Sequence, residues 1–101
     1  MVQTTVEQFQ ASIELADQPP LNLTLELQAM WYAKSGHWEE AHNIAQEIHT
    51  PVGSWIHALL HLIEGDVGNA GYWFRKAGRP TRAISEIDSL WTEITGKLLQ
   101  D

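Results

Sequence analysis

Cysteine is absent from the 101 residues, which excludes disulfides, thiolate metal sites and cysteine nucleophiles and gives no reason to infer an oxidising compartment. Bases are scarce. Six Lys+Arg face thirteen Asp+Glu, a formal net charge of -7, the wrong sign for a chain whose whole surface grips phosphate backbones. No stretch of about 18 uninterrupted apolar residues is present, so no membrane span is expected. No basic segment followed by an apolar one opens the sequence, so a signal peptide is not expected and the cytoplasm is the expected location.

What is there is 44% hydrophobic residues, five of them tryptophan. A chain of this length makes one compact domain that buries roughly two-thirds of its unfolded surface, so it needs no staple. Charge is unevenly spread. Residues 1–66 carry nine acids and one base, Lys34, whereas residues 67–101 carry four acids and five bases.

Punctuation divides the chain into helices. Thr4 with Glu7 three residues on reads as a capping box, and Val6, Phe9, Ile13 and Ala16 follow at helical spacing until Pro19-Pro20, which puts an N-terminal helix within residues 1–18. The alternation Leu21-Asn22-Leu23-Thr24-Leu25 is strand-like by period. Leucine is nevertheless a helix former, and Leu23, Leu27, Met30 and Trp31 continue one helical stripe to Gly36. Trp38, Ala41, Ile44, Ala45 and Ile48 form the next stripe. Thr50-Pro51 opens a further helix that ends at Gly65, and Asp66 caps one carrying Val67, Ala70, Trp73, Phe74 and Ala77 to Gly78. After Pro80, Ile84, Ile87, Trp91, Ile94 and Leu98 mark the last helix, within residues 81–101. The fold class expected is all-α.

Sliding the chain on itself lays Gly36-His37-Trp38-Glu39-Glu40-Ala41 on Gly65-Asp66-Val67-Gly68-Asn69-Ala70, an offset of 29 residues that also lays Ala29 on Ala58 and Pro51 on Pro80. Each unit reads helix, glycine turn, helix, over residues 21–50 and 51–79. The segment Gly65 to Ala77 resembles the turn and second helix of tetratricopeptide-like repeats, with a small residue, Ala70, followed four later by Phe74. Tyr32 stands where that repeat has its tyrosine. The period is shorter than the family's usual one of about 34, and His57 and His61 replace two packing residues. The run Trp55-Ile56-His57-Ala58, His61, Glu64-Gly65-Asp66, Asn69-Ala70 and Tyr72-Trp73 is also similar to that of a group of short bacterial proteins without an assigned function.

The tetratricopeptide resemblance implies two hairpins with capping helices at both ends, and a concave face carrying Trp55, Leu59 and Leu62 that binds protein partners. Trp31 and Trp55 are expected to be the freer tryptophans, with Trp38, Trp73 and Trp91 in the core. The apolar concave face needs a cover. Ile84, Ile87, Trp91 and Ile94 of the last helix are expected to supply it, with a second copy or a protein partner as the alternative.

Two clusters bear chemistry. His57, His61 and Glu64 lie four and three residues apart, so they share one helix face, the only polar strip on an otherwise apolar rod. Two imidazoles and a carboxylate, with His42 or Glu39 added, can bind zinc or another divalent metal. The bland alternative is a polar seam between helices. Ala58 replaces the general-base glutamate of the familiar zinc-protease helix. The second cluster is the basic turn Arg75, Lys76, Arg79 and Arg82, suited to an acidic partner rather than nucleic acid given the overall charge.

No glycine-rich phosphate loop and no nucleophile elbow is present. The expected function is therefore a non-catalytic protein-interaction module, either an adaptor or a homo-oligomer, without a cofactor. The alternative is a metal-dependent enzyme or metal sensor built on His42, His57, His61 and Glu64.

Overall fold

The computed structural model describes residues 4–100, and all regular structure among them is helical. The order is α1 (Val6–Leu15), α2 (Leu25–Lys34), α3 (Trp38–Gln46), α4 (Pro51–Ile63), α5 (Val67–Ala77), a 3-10 turn (Ile84–Glu86) and α6 (Ile87–Gln100). None of the helices is long and apolar enough to cross a membrane. The first cap falls one residue later than the sequence reading placed it. Thr5 Oγ1 accepts from the Gln8 amide while Gln8 Oε1 accepts from the Thr5 amide, a complete capping box. The strand-like leucines divide at Thr24, which caps α2 and leaves Leu21 90% exposed in the preceding turn.

The repeat survives in the backbone. Gly36 and Gly65 both adopt left-handed φ, at 85° and 86°. His37 N donates to Tyr32 O at 2.9 Å and Asp66 N to His61 O at 2.8 Å, the same six-to-one bond 29 residues apart. Each turn closes a helix pair, α2 on α3 and α4 on α5, and Ala29, Ala41, Ala58 and Ala70 are all buried where small residues let helices approach. The outer helices then close the bundle: α1 packs on α2 and α6, and α6 on α2 and α4.

Indole N–H groups tie these layers together. Trp91 Nε1 donates to Met30 O at 2.9 Å, holding α6 to α2, and Trp31 Nε1 donates to Ser12 Oγ at 3.1 Å, holding α2 to α1. Trp38 Nε1 donates to Leu60 O, joining α3 to α4. Each large ring thus buries area while its one polar atom stays satisfied.

The concave residues are covered within the chain itself, and Trp31 and Trp55, expected to be the freer tryptophans, are buried with them. Trp31, Leu59 and Leu62 are essentially inaccessible and Trp55 is 3% exposed, because the chain's own helices occupy the space a repeat array leaves open. Leu90, Trp91 and Ile94 of α6 are buried with them. Ile84 is not part of that cover. It sits half-exposed in the 3-10 turn, where the Glu86 carboxylate accepts from the Ala83 amide and from Arg82.

Among the described residues, one buried side-chain polar atom lacks a partner. Thr95 is fully buried in α6 and its hydroxyl makes no hydrogen bond. Thr95→Val replaces that hydroxyl with a methyl of similar shape, so we expect stabilisation by about 1 kcal/mol. Urea denaturation of the two proteins measures it, and an unchanged or lower midpoint would refute it.

Candidate metal site

Three local rules place the histidines. Thr50 caps α4, its Oγ1 accepting from the Gly53 amide, and Pro51 at the first position fixes the helix start. From that start, His57 and His61 point along one face of α4, both 7% exposed. Left-handed Gly65 ends the helix so that Glu64 is its C-cap, three positions after His61. His42 comes from α3, packed against α4 and held by the Trp38 bond.

Rings from three helices stack into a cluster. His57 lies parallel between Trp73, with centroids 3.9 Å apart at 6°, and His61, at 5.0 Å and 12°. His42 stacks on Trp38 at 4.7 Å and meets His57 edge-on at 4.6 Å. Trp38 and Trp73, two of the three tryptophans assigned to the core from sequence, are partly buried against it and also form the walls of this cluster.

The hydrogen bonds fix where the lone pairs are. His61 Nδ1–H donates to Glu64 Oε1 at 2.6 Å, so Nε2 is the nitrogen left to face a metal. His57 Nε2 and His42 Nε2 are 2.9 Å apart, so one donates and the other accepts. With the Gln46 amide donating to His42 Nδ1 at 3.0 Å, His42 is the donor. A nitrogen from each of His42, His57 and His61 lies within 4.8 Å of the others. Glu64 takes a different position from the one expected: it forms a second group with His61 and Asp66, and Asp66 already caps α5 through the Asn69 amide. Glu39 is exposed on α3 and belongs to neither group among the described residues.

Electrostatics favour the neutral form of two of the rings, His57 and His42. Burial above all, then the neighbouring His42 and His61, with Lys76 adding, pushes His57 down to about 4. Burial and then His61 lower His42, against a smaller opposing pull from Glu64. Neutral imidazole is the form that binds metal.

The same shift has a stability consequence. The unfolded chain takes up a proton near the ordinary value of about 6.5, the folded one not until about 4. Acid between those values therefore favours unfolding, and stability is fully present only above the upper one. In EDTA, Tm should fall from pH 7 to pH 4 more steeply for the native protein than for His57→Gln. Parallel curves would refute this.

Of the basic turn, only part stays free. Arg82 donates to Glu86 at 3.0 Å and Glu93 at 2.9 Å, and Arg79 stacks over the Trp55 ring at 3.9 Å, closing the face expected to receive a partner. Arg75 and Lys76 are exposed, and neither has an acidic partner among the described residues.

Sequence reasoning missed a cleft of about 690 Å³ beside the cluster, lined by the end of α3, the start of α4, His57, Trp73 and Lys76. No sequence signal marks it, since its walls come from helices that meet only in the fold. No known protein family, curated protein or solved structure matches the chain.

Proposed function

We propose that this protein binds one divalent transition metal ion, zinc foremost, through His42, His57 and His61. The carrying observation is the three nitrogens within 4.8 Å on two packed helices, with the His42 and His57 rings favoured in the neutral form. Tetrahedral zinc with bonds of about 2.0 Å separates its nitrogens by about 3.3 Å, so the 2.9 Å between His42 and His57 needs only a small opening. To ligate through Nε2, His42 moves its proton to Nδ1, and Gln46 turns its amide over to accept it. Glu64 supports the reading as the carboxylate that orients His61, a role such partners take beside metal-bound histidines. Three imidazoles leave a fourth position for water or a ligand.

An adaptor role loses its apolar groove to the chain's own helices and is left the exposed Arg75 and Lys76. The polar-seam alternative predicts no metal. Protein purified without an affinity tag should carry about one equivalent of zinc by elemental analysis, and cobalt should give a visible spectrum that His42→Ala abolishes. Free zinc at about 100 Kd adds about 2.7 kcal/mol, which raises Tm by about 10 °C or more in a domain this size. No stoichiometric metal, with no Tm shift relative to His42→Ala, would sink the proposal.

A further inference from the structure

Thirteen of the residues are acidic, yet none lines the cleft beside His57. Its charged and titratable lining is Lys76, His49 and His57. Lys76 holds its ammonium 5.1 Å from the centre of the Trp73 ring and has no carboxylate partner among the described residues. The first turn of α4, at Pro51, Gly53 and Ser54, forms part of the wall, so the positive end of a 13-residue helix adds to the same sign. Ala45, Ile48 and Trp73 give the wall its apolar surface, and Gln46 and Thr50 add neutral polar groups. A volume of about 690 Å³ falls in the range of small-molecule sites.

We infer that this cleft binds a small aromatic or branched-chain carboxylate, its apolar body against Trp73 and Ile48 and its anionic group on Lys76. In a chain of charge -7, a cavity without acids selects against cations and admits an anion where the rest of the surface repels it. The Trp73 ring, stacked on His57 at 3.9 Å and with the Lys76 ammonium 5.1 Å from its centre, brings aromatic surface and positive charge to one place in the lining. Binding does not require the metal, since Lys76, Trp73 and the α4 turn are all present without one. The inference therefore stands or falls apart from the metal reading.

Three probes with the same ring and different charge test it: benzoate, benzyl alcohol and benzylamine, titrated into metal-free protein and followed by backbone amide NMR. Benzoate should shift the Ala45, Ile48, Gly53 and Lys76 amides and bind about tenfold more tightly than benzyl alcohol, as a charge-assisted contact implies. Benzylamine should leave those amides unmoved. Lys76→Gln, an exposed substitution that leaves the fold intact, should bring benzoate down to the level of benzyl alcohol, while Arg75→Gln should not. Equal binding of all three probes, shifts elsewhere than at the cleft, or loss of the preference in Arg75→Gln instead of Lys76→Gln would overturn it. Repeating the titration with zinc present separates the two readings: a protein that takes no zinc but keeps the benzoate preference refutes only the metal site.

Discussion

Deleting residues 83–101 should leave a chain that does not fold. The removed segment carries Leu90, Trp91 and Ile94, each at most 1% exposed, together with the helix that packs on α1, α2 and α4. Truncating one such side chain costs about 2–5 kcal/mol. Three lost together approach or exceed the about 5–15 kcal/mol that holds a domain this size. The core they leave is apolar and wide, with Trp31, Leu59 and Leu62 among its members, so the truncated chain should aggregate as well as unfold. Circular dichroism and size exclusion decide it: a soluble monomer with a cooperative melt would show that the two hairpins stand without α6.

A single substitution grades the same claim. Trp91 stacks on Phe9 of α1 at 6.1 Å, lies under Lys34 and bonds the Met30 carbonyl, so it joins three helices at one ring. Trp91→Ala should lower stability by about 4 kcal/mol, and Trp91→Phe should recover part of that by keeping the ring while losing the N–H. Urea midpoints measure both.

How far the sequence foretold this arrangement depended on how local each cause was. Gly36, Gly65 and Gly78 were legible because a left-handed turn is written in one residue, and the 29-residue repeat followed from them. The first cap was misplaced by one because Thr4 with Glu7 and Thr5 with Gln8 fit the same spacing, and only the backbone geometry selects Thr5. Helical spacing put His57, His61 and Glu64 on one face, and the packing of α3 on α4 brought His42 to them. What Glu64 does with that placement was not legible, since a side-chain rotamer decides whether a carboxylate faces a common centre or its neighbour's Nδ1. Trp91 lies in the core as its spacing indicated, whereas Trp31 and Trp55 were misjudged as the freer ones for a related reason. A repeat register says which face a residue occupies, but the capping helices decide which face is covered, and here they cover Trp31 and Trp55 while Trp38 and Trp73 line the histidines.

Gly53→Ala should destabilise the protein by about 2–3 kcal/mol, although alanine is the better helix former. In α4 the propensity gain from replacing glycine is at most about 1 kcal/mol. Against it, a Cβ at Gly53 would collide with the Ile48 carbonyl oxygen and lie 2.8 Å from the Ile48 side chain. That oxygen belongs to the backbone of the α3–α4 connection, so relief requires the start of α4 to move away from the end of α3, and overpacking of this kind costs about 1–3 kcal/mol or more. Gly68→Ala in α5 supplies the control, because nothing lies within 4 Å of its Cβ. That change should stabilise by about 0.5 kcal/mol. The two substitutions are chemically identical and opposite in expected sign, so a shared sign in urea denaturation would refute the packing argument. The displacement also reaches the histidines. His42 and His57 sit on the two helices that Gly53 holds together, with 2.9 Å between their nitrogens. Opening the joint separates those nitrogens, so Gly53→Ala should weaken zinc binding at a temperature where it is still folded, whereas Gly68→Ala should leave zinc binding unchanged.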